Sequence, residues 1–92
     1  MHITIRQLQV FESVARHLSY TRAAEELHLT QPAVSMQVKQ LEESIGLPLF
    51  EQIGKKIYRT EAGEMMLGHA RTIQEHLKVA EREMDELKGV DS

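Results

Sequence analysis

"TQPAVSMQVKQLEESIG", residues 30–46, spells out one helix with both ends marked. Thr30 offers an N-cap hydroxyl, and Pro32 falls in the first turn, where its missing N–H removes no intrahelical bond. Val34, Val38, Leu41 and Ile45 recur as a single buried stripe, and Gly46 followed by Pro48 stops the element. On the opposite face lie Pro32, Ser35, Met36, Lys39 and Glu43. The first half of that face has no acidic residue. It is either the wet side of a packed helix or a surface made for contact, and an exposed Pro beside an exposed Met suits contact better.

The flanking sequence supplies neighbours for this helix. From Ile5 to Leu18, apolar residues at Ile5, Leu8, Phe11, Val14, Ala15 and Leu18 keep the three-and-four step of an amphipathic helix. In "SYTRAAEELH", Ser19 or Thr21 can cap a second helix that buries Ala23, Ala24 and Leu27. Its small alanines allow close approach of another helix. A connection of three residues, His28 to Thr30, then leads into the quoted stretch. Three short helices with that tight second link predict a helix-turn-helix. Downstream, Leu49, Phe50 and Ile53 precede "GKK", and Ile57 and Tyr58 follow it, which predicts a two-stranded hairpin with a basic tip.

Thr60 can cap a last helix, with Glu61 and Glu64 near its positive end. No proline interrupts the chain from there to Lys88. Such a helix is roughly 40 Å long, too long for the preceding domain to cover. Met66, Ala70, Ile73, Leu77, Ala80, Met84 and Leu87 step alternately by four and three, a heptad seam that calls for a partner helix. The chain therefore divides into a winged helix-turn-helix at 1–60 and a dimerisation helix at 61–88. Residues 89–92 would begin a hinge.

Composition first opposes a nucleic-acid partner, since the net charge is −3. The charge is unevenly spread. Residues 1–60 hold seven Lys/Arg against six Asp/Glu, while residues 61–88 hold four against seven. Most of the acidity belongs to the long helix, and Asp91 adds the last negative charge. There is no cysteine, so no disulfide or thiolate metal site is available. No apolar run is long enough for a bilayer, no secretory pattern opens the chain, and a cytoplasmic location is expected. Nucleophile elbow, phosphate loop and zinc-protease motifs are all missing. Glu25–Glu26 and Glu42–Glu43 diverge around their helices, so neither pair makes a catalytic dyad. His69 and His76 flank the seam as solvated residues, and nothing calls for a cofactor.

In a helix-turn-helix, the N-terminal half of the last helix reads the major groove. Gln31 suits an adenine edge, Ser35 a base or a phosphate, Met36 or Pro32 a thymine methyl, and Lys39 guanine or phosphate. Thr21, Arg22 and Thr30 would hold the backbone, with Lys55 and Lys56 reaching out from the hairpin. The rival reading is a coiled-coil interaction module whose helix-turn-helix only packs.

"RQLQVFESVARHLSYTRAAEELHLTQPAVSMQVKQLEESIGLPLFEQ" at 6–52, followed by "TEAG" at 60–63, resembles the N-terminal domain of the LysR-type transcriptional regulators. The resemblance covers residue 3 to about residue 88. It implies a mainly α, winged helix-turn-helix fold in a bacterial transcription factor, with a linker helix that pairs antiparallel in a homodimer. It also implies operator DNA as the partner. Where the family usually has Arg, this chain has Gln52, so Lys55, Lys56 or Arg59 would have to replace that wing contact. Family members are usually about three times longer, carry a small-molecule effector domain after the linker, and commonly form tetramers. This chain reads as the DNA-binding piece of such a protein. "LHLTQPAVSMQVKQLEE" with "LPLFEQIGKK" further resembles the subgroup controlling carbon-fixation operons.

Overall fold

The computed structural model describes residues 1–89. The expected hinge therefore lies, beyond Gly89, outside the described residues. In chain order come α1 (Ile5–His17), α2 (Tyr20–Leu27), α3 (Gln31–Ile45), β1 (Phe50–Ile53), β2 (Lys56–Arg59) and α4 (Glu61–Lys88). This is the expected mainly α architecture of three helices, a small wing and a long final helix.

Each helix begins on a side-chain cap. Thr4 Oγ1 accepts from the Gln7 amide at 3.0 Å, and Gln7 Oε1 accepts in return from the Thr4 amide at 3.1 Å, a capping box. Of the two candidate caps for α2, the structure uses Ser19, whose Oγ accepts from the Arg22 amide at 3.1 Å. Thr21 thus sits inside the helix with its hydroxyl exposed. Thr30 and Thr60 cap α3 and α4 as expected, accepting from Ala33 and Gly63. Leu18 and His28 end α1 and α2 in the left-handed region, at φ 50° and 56°. Neither break uses glycine; what marks them in the sequence is the cap of the helix that follows, Ser19 and Thr30.

Two adjoining clusters form the core, and α1 serves both. Leu8, Phe11 and Ala15 face Leu41, Leu49, Leu67 and Ala70, while Val10 and Val14 face Ala23, Ala24, Val34 and Val38. Each large side chain buried in this way contributes about 1.5–3 kcal/mol. Phe50, at the start of the wing, lies 5.4 Å from the Phe11 ring and 6.0 Å edge-on from Tyr20. Ile5 and Leu18, at the ends of the expected α1 stripe, are instead 41% and 39% exposed. Val10 and Ser13 are buried in their place, because α1 has neighbours on two sides rather than one.

β1 and β2 pair antiparallel with Phe50 opposite Arg59 and Ile53 opposite Lys56. The loop is only Gly54–Lys55, with Gly54 at φ 63°, as a two-residue hairpin requires. Lys56 belongs to β2 rather than to the tip. The wing then hands over to α4 through a tight junction. The Leu49 amide donates to Glu42 at 2.7 Å, the Thr60 amide donates to the Leu49 carbonyl at 3.1 Å, and the Thr60 hydroxyl donates to the Pro48 carbonyl at 2.7 Å. Gly63 comes so near that a Cβ there would stand 2.1 Å from the Leu49 carbonyl oxygen. No helix among the described residues is long and apolar enough to cross a membrane.

Replacing Gly63 with Ala must push α4 away from that backbone oxygen. We expect Gly63→Ala to destabilise the chain by about 1–3 kcal/mol in a urea titration, whereas Gly68→Ala, with open space around it, should not. Equal stability of the two variants would refute the close seat of α4.

Candidate nucleic-acid interface

α3 is held by Val34, Val38 and Leu41, all buried, so its other side must face solvent. Gln31, Pro32, Ser35, Met36, Lys39 and Gln40 are exposed, with Met36 at 56%. The first acidic residue in α3 is Glu42, and its carboxylate turns back to accept from the Leu49 amide. The exposed N-terminal half of the helix thus presents short polar groups, one thioether and one cation, with no carboxylate among them.

Three of the six candidate backbone residues gather beside it. Thr21 at the start of α2, and Gln52 and Lys55 from the wing, line one shallow polar cleft with Gln31 at the start of α3, whereas Arg22, Thr30 and Lys56 lie outside that cleft. Ser19 and Tyr20 line it too, and residue-type reasoning overlooked both; their place beside Thr21 at a helix start was the available signal. Burial, with a smaller push from Glu42, raises the Tyr20 phenol above its ordinary value, so it keeps its proton and remains a donor. Gln52 Nε2 donates to the Gly54 carbonyl at 3.2 Å and so braces the wing tip.

The cations fall into two groups. Arg16, Arg59 and Arg71 are paired with carboxylates of the chain. Among the described residues the other eight lysines and arginines make no ion pair; four of them, Arg22, Lys39, Lys55 and Lys56, lie on α2, α3 and the wing, and all four are exposed. Arg59 is withdrawn from the wing's outer surface. Its guanidinium donates to Glu64 and, at 2.7 Å, to the Ala15 carbonyl, joining the hairpin to α4 and α1. Of the three residues considered as replacements for an arginine at position 52, Arg59 is therefore already engaged. Lys55 and Lys56 remain.

A second network fixes α2. Glu26 accepts from the Ser13 hydroxyl at 2.6 Å and from the Arg16 guanidinium at 2.9 Å, and Arg16 also holds Glu12 at 3.0 Å. The Arg16 and Ser13 hydrogen bonds, in that order, lower the Glu26 carboxyl from 4.5 to about 2. The expected seam on α4 is divided. Ala70 is wholly buried in the chain's own core and Met66 packs partly against it, whereas Ile73, Leu77, Met84 and Leu87 are 41%, 37%, 52% and 82% exposed and Ala80 is half-buried. The part of the seam open to another chain thus begins at Ile73.

A helix-turn-helix followed by a two-stranded wing, with one exposed, acid-free half-face on its last helix, is a winged helix-turn-helix domain. Residues 5–64 match the family described as bacterial regulatory helix-turn-helix protein, lysR family, and the chain belongs to that family. It is 60% identical over 90 residues to the RuBisCO operon transcriptional regulator of Allochromatium vinosum, covering 98% of this chain and 30% of that relative. This agrees with the carbon-fixation resemblance. Among solved structures, the CbnR DNA-binding domain in complex with DNA is 34% identical with a TM-score of 0.79, covering 95% of this chain and 97% of that one. The BenM DNA-binding domain on catB site 1 DNA matches the fold more closely, at a TM-score of 0.91 over 98% of this chain and 100% of that one, with 24% identity.

Glu26 titrates lower in the folded chain than in the unfolded one. Its contribution to stability is complete above the ordinary value and is lost as pH falls from 4.5 towards 2. Glu26→Gln should lose stability at pH 7 and show a flatter stability profile across that acid window. A profile parallel to wild type would show that the Arg16 network does not anchor α2.

Proposed function

We propose that this chain is the sequence-specific DNA-binding portion of a LysR-family transcriptional regulator, acting in the bacterial cytoplasm on the control region of a carbon-fixation operon. The observation that carries this reading is the acid-free, exposed first half of α3, set beside unpaired Arg22, Lys39, Lys55 and Lys56. α3 enters the major groove with Gln31, Pro32, Ser35, Met36 and Lys39 towards base edges. Thr21, Arg22 and Thr30 hold the backbone on one side, and Gln52, Lys55 and Lys56 hold it on the wing side. The net charge of −3 does not oppose this, because the excess of acid lies on α4, away from the recognition face.

Two chains joined along α4 present two recognition helices, so half-sites fall about one helical turn of DNA, ~10 bp, or a multiple of it apart. The chain spans less than a third of the relative's length. In the longer protein, an effector domain would receive a small molecule and govern how two such dimers assemble.

The test is binding to a control-region fragment across a salt series. Three cationic phosphate contacts per chain, from Arg22, Lys55 and Lys56, predict in a dimer a log–log slope of about −5. Absence of affinity at low salt would leave the coiled-coil module as the better reading. Ser35→Ala or Met36→Ala should weaken operator binding by about 1–3 kcal/mol per site while barely changing affinity for random DNA. Equal losses on both DNAs would show that this face does not read sequence. Leu77→Glu places a charge in the seam and should convert the dimer to monomer in sedimentation velocity; an intact dimer would exclude Leu77 from the interface.

A further inference from the structure

The wing carries one polar atom that the chain itself leaves unanswered. Gln52 Nε2 donates to the Gly54 carbonyl at 3.2 Å. A carbonyl only accepts, so the amide is held with its nitrogen towards the turn. Its oxygen is thereby turned away from that carbonyl. Gln52 is exposed, and among the described residues no group donates to its Oε1.

The cleft places this oxygen relative to a duplex. Thr21 and Gln31 line one side of it, and Gln52, Lys55 and Ile57 line the other. With α3 in the major groove, the strand that borders that groove runs through the cleft, its phosphates between Thr21 and Lys55. Beyond a strand that borders the major groove lies the minor groove. The hairpin tip, across the cleft from α3, therefore stands over the minor groove.

Only one group of the duplex answers an amide oxygen there. Sugar and phosphate oxygens of DNA are acceptors, and A·T pairs show only acceptors in the minor groove, whereas G·C pairs add the guanine amino group. Resting on the DNA-binding reading above, we propose that Gln52 is a specificity-determining residue, its Oε1 accepting from a guanine amino group in the minor groove that flanks the recognition helix. One N–H of the amide braces the wing tip, and the oxygen reads the base pair. A G·C pair is thereby favoured at that flank. A cation at position 52 would act the other way, because narrow A·T-rich minor grooves hold the most negative potential. A glutamine here is thus more than a lost charge, since it changes which base pair the wing prefers.

Two modified bases isolate the amino group. Inosine pairs with cytosine but lacks only that group, and diaminopurine adds it to an A·T pair. In a control-region fragment, each guanine in and beside a half-site is replaced in turn by inosine, and each adenine by diaminopurine. Binding is followed by fluorescence anisotropy at one salt concentration. At one flanking position, loss of the amino group should weaken wild-type binding about fivefold, the worth of one hydrogen bond, and its addition should strengthen binding by a similar factor. Gln52→Ala should not respond to either change, and Gln52→Arg should bind better without the amino group. Each comparison is made within one variant, so loss of the Gly54 brace cancels from it. Equal responses of wild type and Gln52→Ala would overturn the inference. So would tighter wild-type binding to inosine, which would make the amide a donor to the groove. Absence of binding to the unmodified fragment at low salt would instead overturn the DNA-binding reading, and the inference with it.

Discussion

The carbonyl of Leu49 is where the molecule is joined. It accepts from the Thr60 amide just as the wing ends, and Gly63 lies against it one helical turn later, too close for any side chain to intervene. Three things meet at this point: the end of the α3–wing connection, the start of the hairpin and the seat of the long helix. Leu49 itself is wholly buried, and its amide is tied to Glu42 on α3. The direction in which α4 leaves the domain is therefore fixed relative to α3. In the proposed dimer the angle between α3 and the helix that joins two copies has to be fixed, and the seat of α4 rests on one oxygen and one missing methyl group.

Two arginines of this chain join its elements through the chain's own acceptors. Arg59 reaches a carbonyl of α1 and a carboxylate of α4, while Arg16 gathers Glu12 and Glu26 so that α2 is clamped on α1. Among the described residues the lysines and Arg6, Arg22 and Arg82 are left outside, without an ion pair. Counting basic residues gave a poor account of the interface because some of them are spent on internal carboxylates and others are not. The distinction that matters is which cations remain unneutralised, and that depends on tertiary contacts.

This explains which features could be read before folding. Helix boundaries at Thr30, Gly46 and Thr60 were legible, because caps and stops are local chemistry. The buried stripe of α3 was legible because it has one neighbouring surface. α1 was only half legible: it packs on two sides, so Ser13 and Val10 are buried against the simple periodicity. The break at Leu18 had no glycine, and only the cap candidates after it, Ser19 and Thr21, announced it. Ser19 and Tyr20 entered the cleft only when α2 and the wing came together. The withdrawal of Arg59 and the burial of Ala70 likewise depend on partners distant in sequence. The seam was visible as a heptad, but its division between the chain's own core and an open face was not.

α4 works as a spacer as well as a seam. Its first turns are fixed to the domain and its later turns carry the open face, so in the proposed dimer the separation of the two α3 helices is written in residues between Gly63 and the pairing axis. One inserted residue would turn the seam by about 100° and bury the wrong face. Seven would keep the face in phase and move each domain along by about 10 Å, roughly three base pairs of duplex. Change in the spacing of a paired site can thus be followed by this helix only in whole heptads. Helix length and operator geometry are in that sense two records of one dimension.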